Sequence, residues 1–152
     1  MEETLPCVMV CVTEQTRCEN LIHAGKKLAD ELGTTLEVLN IQPTKNAFKT
    51  SSEELQYLFN VVKKNQADMT VYYNDDPALV AACHIHKCNA VSIVVGLPGE
   101  GSSRFVETIR MLVPDVEINL AEDNGQMHLL RSASKEEIEL AKMCALSSVP
   151  SR

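Results

Sequence analysis

Apolar residues in this chain alternate between two rhythms. Short runs of strand length recur at residues 7–12, 36–41, 69–73, 90–95 and 116–120. The runs at 7–12 and 90–95 are unbroken, which suits strands buried on both faces of a parallel sheet. Val116, Ile118 and Leu120 instead alternate with Glu117 and Asn119, as in an edge strand or one that pairs with a partner.

Between these runs the period changes to that of an α-helix. Cys18, Leu21, Ile22, Leu28, Ala29 and Leu32 follow the spacing of one helical face. A Thr16/Glu19 capping box precedes them, and Gly33 is placed as the residue that ends the helix. Ser51 and Glu54 announce a second helix with Leu55, Leu58, Phe59 and Val62 inward. Asp76 as N-cap and Pro77 in the first turn start a third, which runs to about Asn89. A fourth opens at Arg104 or Phe105, with Phe105, Ile109, Leu112 and Val113 on one side, and closes near Pro114. The order β-α-β-α-β-α-β-α-β predicts a three-layer α/β/α fold around a five-stranded parallel sheet, over residues 1–122. Residues 123–152 form a C-terminal extension, in which Ser134 and Glu137 cap one short helix. Ile138, Ala141, Cys144 and Ala145 could dock that helix on the domain or on a second subunit.

The stretch after the fourth strand holds the candidate chemistry. Gly96-Leu97-Pro98-Gly99-Glu100-Gly101-Ser102-Ser103-Arg104 leads from a buried strand through a Gly/Ser turn into a helix N-terminus. Helix N-termini present N–H groups that have no partner inside the helix, and glycine turns let the backbone wrap an anion. Phosphate fits such a place. The spacing is not that of the dinucleotide fingerprint. It reads as Gly-x4-Gly-Ser-Ser, with Ser102 where a P-loop carries lysine. Without that cation phosphoryl transfer loses a main electrostatic component, so binding rather than catalysis is expected. Arg104, in the first helical turn, is placed to reach a bound phosphate.

Bulk composition narrows the partners. The chain has 152 residues, 45% of them hydrophobic and 23% charged, the profile of one globular domain. Its formal net charge of −7 argues against a nucleic-acid or anionic-membrane surface, though not against a small anion held by backbone amides. No run has the length of a membrane span. The start of the chain carries acidic rather than basic charge, and the six cysteines lack a disulfide spacing, so a cytoplasmic protein is expected.

Cys83-His84-Ile85-His86-Lys87-Cys88 has the look of a metal cluster. On a helix, Cys83 and His86 lie about 60° apart and His84 and Cys88 about 40° apart, the two pairs pointing in different directions. Four ligands cannot converge on one ion, so buried cysteines beside surface histidines are expected instead, with no metal. Cys7 and Cys11 share a strand face too far apart to bridge and read as small core residues. No catalytic triad or carboxylate pair stands out.

Taken together, Val8-Met9-Val10-Cys11-Val12, Arg17-Cys18-Glu19-Asn20-Leu21-Ile22, Leu28-Ala29-Asp30-Glu31-Leu32-Gly33 and Leu36-Glu37-Val38-Leu39-Asn40-Ile41 resemble a universal stress protein domain. They look most like the stress-protein-type module of potassium-sensing histidine kinases. Ile93-Val94-Val95-Gly96 and the loop that follows agree, and the resemblance spans about residues 5–122. It implies an adenine nucleotide α-hydrolase-like sheet whose first and fourth strands flank the switch point. It also implies homodimers, a role in stress response and signal transduction, and in one branch binding of ATP or AMP; some kinase-linked members take a cyclic dinucleotide. Carried over, Gly96 and Gly99 match the phosphate-loop glycines, with Gly101, Ser102 and Ser103 as additional donors. Ile41 falls where a main-chain group meets adenine, and Thr13 where nucleotide-binding members have an aspartate. Ile109-Arg110 stands where the family carries Gly-Ser or Gly-Thr. The expectation is a non-enzymatic sensor module with a signalling partner, or a ligand-free dimeric interaction module of the same fold.

Overall fold

A computed structural model describes residues 5–12, 18–44, 52–97 and 103–147 of the chain. These form β1 (Cys7–Val12), α1 (Cys18–Leu32), β2 (Thr35–Gln42), α2 (Ser52–Lys64), β3 (Asp68–Tyr73) and α3 (Pro77–Cys88). They continue with β4 (Ala90–Gly96), α4 (Ser103–Leu112), β5 (Glu117–Ala121), β6 (Met127–Leu130) and α5 (Lys135–Ser147). The sheet order is β3-β2-β1-β4-β5-β6, parallel throughout except for the antiparallel pair β5–β6.

Alternation along the central strands sorts their side chains into two cores. Cys7, Met9, Cys11, Leu39, Ile41, Ile93 and Val95 face α3 and α4, where Ala81, Ile85, Val106 and Ile109 close the layer. Val8, Val10, Val12, Leu36, Val38 and Val94 face α1 and α2, against Ile22, Ala29, Leu58 and Val61. The expected α/β/α sandwich is thus present. Burying both faces of β1 removes nearly all of its apolar surface from water, at about 25 cal/mol per Å².

Local chemistry sets the helix ends. The Asp76 side chain accepts from the Leu79 N–H at 3.3 Å, and Asn89 closes α3 in the left-handed region at φ 55°. Gly33 ends α1 at φ 67°. Ser134 and Glu137 form a reciprocal box at α5: the Glu137 N–H donates to Ser134 Oγ at 3.1 Å, and the Ser134 N–H to Glu137 Oε1 at 3.3 Å. Thr16 and Ser51, the expected caps of α1 and α2, lie outside the described residues.

Three expectations need correction. The sheet has six strands rather than five and is not wholly parallel, because residues 127–130 fold back along β5. The sheet therefore extends past residue 122, and β5 is internal. Phe59 and Leu112, expected inward, are 45% and 46% exposed, while Val61 and Val106 take the inward places. On α3 the residues at 83 and 84 are exchanged relative to expectation: His84 is buried and Cys83 exposed. Ala81, Ala82 and Ile85 must face the sheet, and that helical phase turns His84 inward with them.

Candidate functional site

In a doubly wound sheet, ligands bind beyond the carboxyl ends of the strands where the strand order reverses. Here that point lies between β1 and β4, paired in register from Val8–Ser92 to Cys11–Val95. From β1 the chain winds outward through β2 to β3; from β4 it winds the other way through β5. The carboxyl ends of these two strands, Val12 and Gly96, therefore mark the place where sheets of this topology form a ligand crevice.

Gly96 stands at the rim of this crevice. A Cβ built at Gly96 meets no described atom within 4 Å, and its φ is not positive. Neither a tight turn nor a close neighbour among the described residues requires glycine here. Its bare backbone puts no side chain at the carboxyl end of β4. The strand continues its pairing one step further, the Leu97 N–H donating to the Ala121 carbonyl at 2.8 Å. α4 begins at Ser103, so its first turn points back to this edge, and Arg104 is exposed within that turn.

The neighbouring strand ends carry two buried amides whose role the sequence did not suggest. Asn40 Nδ2 donates to the Val12 carbonyl at 3.0 Å, and Gln42 Nε2 donates to Asn40 Oδ1 at 2.8 Å. Asn40 is fully buried and Gln42 nearly so. Leaving such groups without partners would cost about 1–3 kcal/mol each, so the network pins the last residue of β1 to β2. The one hint in the sequence is that Asn40 and Gln42 share a strand face with the buried Leu36 and Val38, but polar Thr35 and Glu37 in the same strand mask it. Ile41 is buried toward α3, and the β1–β2 ladder closes one residue earlier, at Val12–Asn40.

Further bonds tie the loops of this edge together. Asp75 accepts from Thr44 twice, from its N–H at 3.0 Å and from its hydroxyl at 2.6 Å. The Asn74 N–H donates to the Gln42 carbonyl at 2.9 Å, and Asn20 Nδ2 to the Asp123 carbonyl at 3.2 Å.

Of the residues expected at the site, the fold brings Ile41, Gly96 and Arg104 to one edge of the sheet. Ser103 opens α4, its side chain undescribed, and Thr13, Gly99, Gly101 and Ser102 lie outside the described residues. No group of three or more His, Cys, Asp or Glu among the described residues is arranged to hold a metal. A separate shallow groove of about 460 Å³ lies at the opposite edge of the sheet, lined by Ile85, Val91, Leu112, Val113, Pro114 and Val116 among others. His86, Asn89 and Asp115 also line it, and it lies at the amino end of β4, away from Gly96. No described helix is long and apolar enough to cross a membrane.

No protein-family model matches the chain, and no curated relative matches it. Solved structures do. The universal stress protein from Archaeoglobus fulgidus superimposes with a TM-score of 0.54 at 17% identity, over 75% of this chain and 90% of that one. The universal stress protein from the same organism in complex with dAMP gives 0.52 at 14% identity, over 76% of this chain and 97% of that one. At these identities the likeness carries the architecture: this chain has the fold of the universal stress proteins.

Proposed function

We infer that the chain is a universal-stress-protein-type module that binds an adenine nucleotide in the crevice between β1 and β4. The observation that carries this reading is Gly96. It is a glycine that nothing described around it requires, at the switch point of a sheet shared with a dAMP-binding protein. The adenine would lie near the Ile41 main chain. The phosphates would lie over Gly96 and Gly99, with Gly101, Ser102, Ser103 and Arg104 as further donors, and Thr13 at the end of β1. ATP and AMP are the leading ligands, and a cyclic dinucleotide follows from the resemblance to the sensor modules of histidine kinases. Binding would order the start of α4, and a cytosolic signalling partner would read the altered surface. No catalytic step is proposed, since Ser102 stands where a phosphoryl-transfer loop carries lysine.

Titration calorimetry with ATP, AMP and cyclic dinucleotides tests the reading, with Gly96→Val as the discriminating variant. A valine at 96 suits a strand and meets open space, so stability should change by no more than about 0.5 kcal/mol, the usual range for substitutions that disturb no contact. Nucleotide binding should be lost. Equal affinity in the variant would remove the crevice from consideration.

A second reading, a ligand-free dimeric interaction module, is favoured by α5. Every residue described on it is exposed, Leu140, Met143 and Leu146 by more than 60%. A short helix is marginal in water unless something covers it, and a second copy would do so. Sedimentation equilibrium of the full chain with and without nucleotide separates the two readings.

A further inference from the structure

At the amino end of β4, the last turns of α3 and α4 and the segment before β5 enclose the groove of about 460 Å³. Its apolar walls are partly bare: Val91 and Leu112 are 41% and 46% exposed. Both helices that end there finish on bases. His86 and Lys87 close α3, and Arg110 lies in the last turn of α4. No residue of α5 lines the groove.

α5 carries a surface that matches it. At 100° per residue, Leu140, Cys144, Ala141, Ala145 and Ile138 fall within about 160° of one another around the helix, and all of them are exposed. Ile138 and Leu140 bound this face, and the small residues between them let a helix about 20 Å long settle close against a wall. Glu137 shares the face at its start, where the Arg131 guanidinium meets its charge. The first turn of α5 is acidic, with Glu136 beside Glu137, and its last turn holds no base. An acidic helix start thus has its counterpart in the basic helix ends at the groove.

We propose that the groove receives α5 of a second copy of this chain, each copy giving its helix to the other, a reading that rests on the dimeric one above and names the surfaces that meet. The chain's own helix is held off. Ser132 Oγ donates to the Pro114 carbonyl at 3.5 Å, on the rim of the groove, and α5 starts three residues later. Past that anchor, Arg131 grips both Glu137 carboxylate oxygens at 2.7 and 3.0 Å, and Ser134 and Glu137 cap each other. To lie in its own groove the helix would have to pivot at residues 132–134 and give up these bonds. A second copy needs no pivot, and both surfaces are already present in one chain, so no foreign segment is required. Two-fold symmetry repeats the contact, so that two helix faces and two grooves are covered at once. In the separate chain α5 stands on its caps alone, and association is what covers its apolar face. Gly96 lies at the other end of β4, outside this interface.

Two measurements on the full chain test the exchange. Sedimentation equilibrium over a roughly hundredfold range of concentration should give a monomer–dimer equilibrium. Leu140→Glu on α5 and Leu112→Glu in the groove both alter exposed positions. Each should leave the melting of the dilute chain unchanged and weaken the dimer by at least about tenfold. The second measurement places the helix. In Asp115→Cys, at the groove, a short bis-maleimide should join position 115 to Cys144, which is exposed on α5. When unlabelled and isotope-labelled chains are mixed, mass spectrometry should find linked peptides that combine both labels. A chain that stays monomeric throughout removes the dimeric reading and the exchange with it. A dimer that keeps its affinity in either glutamate variant, or gives no linkage between 115 and 144, leaves the dimeric reading standing and overturns the exchange. Linkage only within single chains makes α5 the cover of its own groove, and overturns it as well.

Discussion

Gly25 shows how one missing side chain can decide a packing layer. It lies in the middle of α1, where glycine costs about 1 kcal/mol relative to alanine, so the local preference is against it. A Cβ at 25 would collide with Val10 Cγ2 and press on Leu36 Cδ1 at 3.1 Å. Helix α1 therefore sits on β1 and β2 at a distance only glycine allows. Gly25→Ala should destabilise the chain by about 1–3 kcal/mol despite the better helix former, because the clash outweighs the propensity gain. Chemical denaturation measures it, and a neutral or stabilising result would mean that α1 can lift off the sheet freely. His84 offers a second test at this scale. Its folded pKa is depressed, chiefly by burial, so the unfolded chain binds a proton more readily as the pH falls. The stability this contributes is whole above the unfolded value, near 6.5, and is lost as the pH falls from there through the folded value. The unaltered chain should thus lose more stability between about pH 7.5 and about pH 5 than His84→Gln does. Urea midpoints at the two pH values give the difference; identical slopes would place His84 in solvent.

At the scale of elements, α5 depends on its own first turn. Ser134 and Glu137 cap each other, and Glu137 also accepts from Arg131 at 2.7 and 3.0 Å, holding the helix start against the end of β6. With no described residue of α5 buried, local terms carry its stability. Ser134→Ala should cost α5 about 1 kcal/mol and lower the far-ultraviolet helical signal, with the melting of the sheet unchanged. A full helical signal in the variant would mean that α5 is held by contacts elsewhere. This box was legible in the sequence, as were the Asp76 cap and the Gly33 stop, because each is written in residues three or four apart. β6 was not legible. Met127-His128-Leu129-Leu130 is four residues long, and its partner is the backbone of β5 rather than a pattern of its own. The faces of α2 and α4 were read with the wrong phase at Phe59 and Leu112, since apolar residues occur on both sides of each helix. At the site, Gly96 and the start of α4 could be read from the loop chemistry. Asn40 and Gln42 could not, because their burial follows from the packing of α1 and α2 over the ends of β1 and β2.

At the scale of the whole molecule, the question is where the folded unit ends. A break at residue 122 would leave out β6, yet β6 completes both cores: Met127 packs beside the α1–α2 layer and Leu130 beside the α3–α4 layer. It also satisfies the outer edge of β5, from Ile118–Leu130 to Ala121–Met127. An internal strand turned into an edge exposes a row of unpaired backbone groups and invites association. α5 is the opposite case, exposed along its described length and tied to the body through Arg131 and the Ser132 hydroxyl, which donates to the Pro114 carbonyl at 3.5 Å. Two shortened chains separate these roles. A chain ending at Ser134 keeps the six strands and should melt within about 2 °C of the full chain at low concentration, since little buried surface is lost. A chain ending at Glu122 should melt lower by about 5 °C or more, corresponding to at least ~1–2 kcal/mol, and should aggregate through the bared edge of β5. Scanning calorimetry with light scattering reads both. If instead the loss appears on removing α5 alone and depends on protein concentration, α5 is covered by a second copy, and the folded unit is a dimer.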